Sequence, residues 1–333
     1  MALRFVDSFD HYSAAQWLRR YSSGSGIVIE AGGRRGTNGV RVNHLCSFGK
    51  VLDAQATWIV GFAYNFGGAM FTGPATLWAW QDAGTPQCDL RLNTNLTLSV
   101  TRNGTVLGTS VAILSAGNSY IEFKATIGNA GSYEVRVNGV NILSGAGVDT
   151  QNTANAAADR FVVDGFGITA AGGQCYDDLY VCDGTGSSNN NFLGDVRIDA
   201  KFPTGAGNST QFTPSAGSNF QCVDDNPPND DIDHVESANV GDKDTYAFGT
   251  LVSHTPLSIF GVQVNMHAKK DDAGARSIAS VVRSGGSDTD GAAQPLGTTY
   301  ANLRQMVEQD PNTAAPWTKV NLNASEFGPK VAA

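Results

Sequence analysis

The glutamates Glu30, Glu122, Glu134, Glu236, Glu308 and Glu326 are the first residues to weigh for chemistry. Glycoside hydrolysis on a strand needs two carboxyls on one face, as in Glu-x-Asp-x-x-Glu, which sets them about 5–5.5 Å apart. None of these glutamates stands in such a pattern. Glu122 and Glu134 alternate with Lys124 and Arg136, which reads as ion pairing on a strand surface. The histidines His11, His44, His234, His254 and His267 form no His-x-x-x-His pair. No Gly-x-Ser-x-Gly elbow or phosphate-binding glycine loop occurs, and the SSGS and SGGS stretches at 22–25 and 284–287 read as loops. The chain is therefore expected not to be an enzyme, and no catalytic, cofactor-binding or metal-ligating residue is assigned. Two groups remain open. Asp224, Asp225, Asp230, Asp231 and Asp233 crowd oxygen donors into one segment, either a structural calcium loop or a solvated acidic turn. Trp78 and Trp80 share one face of a strand, where they either fill a core or stack against sugar rings.

The elements that position these residues read as strands. The chain has 333 residues, 41% of them hydrophobic and only 16% charged, with 39 glycines against 11 prolines. That balance fits a globular chain of many short strands joined by tight turns. Residues 57–64 (TWIVGFAY), beside Gly67-Gly68, form a buried-looking run, and 75–81 (ATLWAWQ) alternate. Strands over 90–101, 105–109, 120–127, 131–137 and 140–143 flank the turn signals Asn103-Gly104 and Asn138-Gly139. Further strands over 161–168 and 177–181 close a β-sandwich over residues 1–184. Residues 185–191, almost all turn formers, read as a linker to a second β-sandwich domain over 192–333. That second domain is predicted to open with a strand at 192–202 and continue through a loop at 205–219. It ends in a short helix over 318–325, capped by Thr318, and a last strand over 326–331. Residues 299–309 have a composition that allows helix.

A net charge of −9 disfavours nucleic acid and anionic membranes as partners. No run approaches the roughly 20 apolar residues of a membrane span, and the first residues lack the pattern of a signal peptide. Cys46, Cys88, Cys175, Cys182 and Cys222 match no zinc spacing and read as reduced thiols of a chain made in a cytosol.

The segments FVDSFDHY, LWAWQ, SYIEFKATIGNAGSYEVRVNG and DDLYVCD are similar, in order and spacing, to concanavalin-A-like (laminin-G-like) jelly-roll domains. They look like the versions carried by virion proteins of tailed bacteriophages. The stretch from FLGDVRIDAKF through VGDKDTYAF to DPNTAAPWTKVNLNASEFGPKV resembles a β-sandwich module that often follows such a domain in phage structural proteins. The resemblance implies an all-β chain of two tandem sandwiches, acting as a virion structural protein. A tail or tail-fibre component that attaches to the host surface is expected, with a capsid decoration protein or a lectin-like module as alternatives. It implies other virion proteins and a surface glycan as partners, and a symmetric homo-oligomer, a trimer being favoured. Laminin-G-like domains often hold calcium at a sandwich rim, which makes Asp177 and Asp178 further candidates; otherwise no cofactor is expected.

Overall fold

The computed structural model describes residues 2–66, 71–115, 117–251 and 255–333; Gly67-Gly68 and His254 lie outside the described residues. The chain is all-β, with antiparallel sheets throughout. It divides into two compact units, 2–198 and 199–333.

The first unit contains β1 (Leu3–Asp7), β2 (Ser23–Ala31), β3 (Asn38–Gln55), β4 (Thr57–Asn65), β5 (Ala75–Asp82), β6 (Thr85–Leu92) and β7 (Thr97–Arg102). It continues with β8 (Thr105–Ile113), β9 (Ser119–Thr126), β10 (Gly131–Val137), β11 (Val140–Val148), β12 (Ala158–Asp164) and β13 (Gly173–Asp183). These join in the order β11-β10-β9-β4-β13-β3-β12-β5-β6-β7-β8, with β1 on β13 and β2 on β3. The sheet folds over so that its apolar rows face each other, a sandwich or jelly-roll arrangement. Trp58 of β4 stacks on Trp80 of β5, with ring centroids 5.2 Å apart, and Phe62 stacks on Trp78 at 5.7 Å. Phe161 of β12 lies against Trp78 at 4.1 Å. Trp78 and Trp80 are fully buried, so they fill the core and offer no face to a sugar. The Asn-Gly pairs at 103–104 and 138–139 make the two hairpin turns, with all four residues at positive φ.

A short helix, α1 (Trp17–Arg20), closes one end of this core. Its Trp17 stacks on Tyr21 at 4.0 Å, and its Arg20 reaches the buried Asp7 of β1. Asp7 accepts from Arg20 Nε (2.8 Å), Tyr12 Oη (2.8 Å), Tyr21 Oη (2.8 Å) and the Phe9 amide (2.9 Å). Burial works to raise the Asp7 carboxyl, but Arg20 overrides it and holds it below the ordinary aspartate range. His11, beside them, is pushed down to about 4 by burial and by Arg20.

In the second unit one sheet runs Pro203–Thr210, Asp244–Phe248, Glu326–Val331, Ser277–Ser284, Ser287–Asp290. A separate ribbon pairs Val262–Ala268 with Ala301–Val307. Val264, Val282, Trp317 and Phe327 form the core between them. Two expectations change here. Residues 192–202 form no strand; the Leu193, Gly194 and Ile198 amides go to side chains of the first unit. Pro203–Thr210, which overlaps the loop expected at 205–219, is a strand, and Ala301–Val307, left open to helix, is also a strand. The short helix (Lys319–Asn323) forms as expected, with Thr318 Oγ1 accepting from the Asn321 amide at 3.1 Å.

Phe161→Ala would leave a cavity against Trp78 that flanking rings cannot fill. It is expected to cost about 3–5 kcal/mol of the first unit's stability, read from the urea midpoint.

Candidate functional site

Outside the core, the first unit carries two polar faces. One lies over β9 and β13, where Tyr120 and Glu122 alternate with the core residues Ile121 and Phe123. Tyr180 lies flat above Gly61 of β4; a Cβ at Gly61 would stand 2.1 Å from its ring, so glycine is required there. Tyr180 Oη donates to Glu122 Oε1 at 2.5 Å, and the Gly194 amide donates to the same oxygen at 2.8 Å. The Leu193 amide donates to Tyr180 Oη (3.1 Å), and the Ile198 amide to Asp178 Oδ1 (2.7 Å). The Phe192 ring sits under the Arg136 guanidinium at 4.2 Å. Residues 192–198 are thus a strap bound to the first unit, which carries this unit past the linker expected at 185–191. Glu122, expected in a surface pair with Lys124, is instead buried beneath this strap.

Asp177 and Asp178 meet at the edge of the same face. Asp177 accepts from the Asp178 amide (2.7 Å), the Arg34 amide (2.7 Å) and Thr37 Oγ1 (3.2 Å). Arg34 holds Asp195 in a two-point pair at 2.5 Å and stands 3.7 Å from Asp178. Burial pushes Asp177 up to about 7, helped by Asp178, and burial pushes Asp178 up to about 6. Both carboxyls are therefore engaged by amides, a hydroxyl and guanidinium groups of the chain itself. Among the described residues no group of three or more acidic, histidine or cysteine side chains is placed to hold a metal ion.

The second face lies over β12, β5, β6 and β7. On β6, Gln87, Asp89 and Arg91 point away from the core while Cys88, Leu90 and Leu92 enter it. On β7, Thr97, Ser99 and Thr101 alternate likewise with Leu98 and Val100. The pairing aligns Val162, Ala79, Asp89 and Thr101 in one row across four strands. Asp89, beside the small Ala79, is buried, as are Gln87, Ser99 and Thr101. Asp89 Oδ2 accepts from Arg91 Nη2 at 3.0 Å and from Thr101 Oγ1 at 3.5 Å. Asp89 Oδ1 and Arg91 Nε are both buried and find no partner. A buried oxygen or N–H left without a partner is costly, so this is a poorly satisfied point of the face. Asp164 of β12 acts electrostatically on Asp89, and burial raises both carboxyls above the ordinary range. Two such carboxyls beside a guanidinium can hold and release protons nearer neutrality than free aspartates can. Gln87 pins the neighbouring loop, donating to Thr153, Asn155 and Ala157 and accepting from the Asn152 and Thr153 amides.

No linear motif marks this face: its signal in the sequence is the alternation Gln87-x-Asp89-x-Arg91, and Asp164 joins it from a distant segment. In the second unit, the acidic segment is held by the chain's own cations. Asp230 bonds His267 Nε2 (2.8 Å), and Asp231 takes Lys269 Nζ (2.7 Å) and Tyr300 Oη (2.9 Å). Asn229 donates to Asp233 at 2.7 Å. His11, His44, His234 and His267 are dispersed, and among the described residues no cysteine is joined in a disulfide. No described helix is long and apolar enough to cross a membrane.

No family model and no curated protein matches the chain. Solved structures do. It is similar to the endo-β-1,4-glucuronan lyase of the fungus Trichoderma reesei at 13% identity and a TM-score of 0.40, over 54% of this chain and 95% of the lyase. It is similar to alginate lyase Aly36B at 11% identity and a TM-score of 0.39, over 52% and 91%. It is also similar to the cellulose-induced protein Cip1 at 12% identity and a TM-score of 0.39, over 57% and 93%. Two of these are named as lyases, which overturns the expectation that this chain is not an enzyme. A sheet face brings together side chains that lie far apart in sequence, as it does Asp89 of β6 and Asp164 of β12. Short linear motifs do not report such a face. The likeness assigns no reaction or substrate to this chain.

Asp177 and Asp178 hold protons in the folded chain at pH values where the unfolded chain, near 3.8, has released them. Their contribution to stability is therefore fullest near pH 4 and is lost as pH rises toward about 7. Asp178→Asn keeps the acceptor for Ile198 and suits the positive φ of that position. It is expected to flatten the decline in denaturation midpoint between about pH 4 and about pH 7; an unchanged slope would contradict this assignment.

Proposed function

We propose that this chain is a structural component of a tailed-phage virion, part of the tail or tail fibre. Its first unit is a concanavalin-A-like sandwich that meets the host surface, and its second unit is a further β-module of the same assembly. The attachment reading is carried by the unpartnered Asp89 Oδ1 and Arg91 Nε on a polar row of the first unit. Hydroxyl-rich surface polysaccharide supplies the donors and acceptors that such a row lacks. The phage setting is supported by the segments that carry the resemblance. FVDSFDHY builds β1 and the Asp7 network, LWAWQ lies in β5, and SYIEFKATIGNAGSYEVRVNG spans β9 and β10 with their turns. DDLYVCD ends β13, so all four fall within one sandwich.

Gold-tagged antibody against this chain, imaged on purified virions, tests the placement. Gold on the tail is the expected result. Gold spread over the head would make the chain a capsid decoration protein, and virions without gold would overturn the virion role altogether. Attachment is tested separately by retention of the chain on immobilised host-surface polysaccharide. The double substitution Asp89→Ala, Arg91→Ala is expected to abolish retention while leaving Tm within a few degrees. Equal retention by both proteins would remove the polar row from the reading.

A further inference from the structure

Residues 192–198 hold to the first unit in a way unlike its strands. They pair with no strand among the described residues, and none of them is buried. Side chains of the sandwich make the hold. The Leu193, Gly194 and Ile198 amides sit on Tyr180, Glu122 and Asp178, Asp195 sits on Arg34, and Phe192 lies under Arg136. Two of these fastenings are linked, because Tyr180 Oη accepts from Leu193 and donates to the Glu122 oxygen that takes Gly194. Losing one therefore loosens the other. A segment held by polar contacts, with little apolar surface buried, opens at a lower free energy than the core. β13 ends at Asp183 and the next strand starts at Pro203, so the segment can leave without drawing on either.

The groups beneath it favour water. Glu122, Tyr180 and Asp178 are all buried. The second oxygen of Glu122 is buried with no partner, a cost that opening removes. Asp178 is faced by Asp177 on its own strand, by Arg34 and Arg35 from the turn between β2 and β3, by Tyr120 of β9 and by Asp195 of the strap. Asp177 is faced in turn by Asp10. Around this pair four carboxyls meet two guanidinium groups, so each further ionisation works against closure.

We propose that residues 192–198 are a latch, which leaves the first unit in one step while the sandwich stays folded, and which opens more readily at neutral than at acid pH. Opening joins them to the turn-rich run at 184–191 as one longer tether ahead of the second unit, and it uncovers Tyr180, Glu122 and Asp178. Burial sets the direction. Closed, Asp178 is pushed up to about 6; uncovered, it returns toward 3.8. Closure is therefore firmest near pH 4 and weakens as pH rises toward about 6.

Hydrogen exchange of the full chain, followed amide by amide between about pH 4 and about pH 7 and corrected for the intrinsic pH dependence of exchange, tests the latch. Protection at Leu193, Gly194 and Ile198 is expected to lie below that of Ile121 and Phe123 in the core strand β9. It is expected to fall in all three together, by up to about a hundredfold, as Asp178 ionises. Asp178→Asn is expected to hold protection at its acid level throughout. Asp195→Asn loses the two-point pair with Arg34 and is expected to lower protection of all three about tenfold, with Tm unchanged because Asp195 is exposed. Strap amides as protected as those of Ile121 and Phe123 would overturn the latch, and so would protection that does not change with pH. An Asp195→Asn protein in which one of the three amides loosens and the others do not would overturn the single step.

Discussion

The stacking of Trp58 on Trp80 and of Phe62 on Trp78 is the contact on which the rest of the first unit depends. It joins β4 to β5, strands that are not neighbours in the sheet, and so fixes which side of every strand is inside. Once those rings meet, the period of two along each strand leaves no choice for the remaining residues. Leu90 and Leu92 go in, and Asp89 and Arg91 are forced onto the outer face. The polar row is thus a consequence of the aromatic core, and its unmet hydrogen-bonding groups are tolerated because the core secures the strands that carry them.

The buried charges divide by how fully they are matched. Asp7 has four donors, one of them a guanidinium, and stays ionised in an apolar setting. It ties β1, α1 and Tyr21 together at one end of the sandwich. Asp177 and Asp178 have donors too, yet they stand beside each other, and burial of two adjacent carboxyls favours retaining protons. Glu122 takes the hydroxyl of Tyr180 and an amide of the strap, which makes it a fastening for residues 192–198. Asp89 and Glu122 each keep one oxygen buried and unmet.

What could be read directly from the sequence is what depends on near neighbours along the chain. The run TWIVGFAY and the alternating ATLWAWQ form strands because their side chains suit a pleated, buried surface. Asn103-Gly104 and Asn138-Gly139 turn because those residues accept positive φ, and Thr318 starts a helix because its hydroxyl reaches the amide three residues on. All of these are settled within a few residues. The all-β character follows from the same local facts.

Tertiary structure alone decided the rest, because each such feature needs a partner far along the chain. Residues 192–202 alternate like a strand, yet their amides bond to Tyr180, Glu122 and Asp178, and no strand partner lies alongside. The acidic segment around Asp230 and Asp231 reads as a cation loop until His267, Lys269 and Tyr300 are brought against it. Trp78 and Trp80 are aromatic on either reading, and only the opposing Trp58 and Phe62 place them inside. Asp89 and Arg91 gain their polar surroundings only when Asp164 and Thr101 arrive from other strands, since the polarity of a face is set by every strand that crosses it.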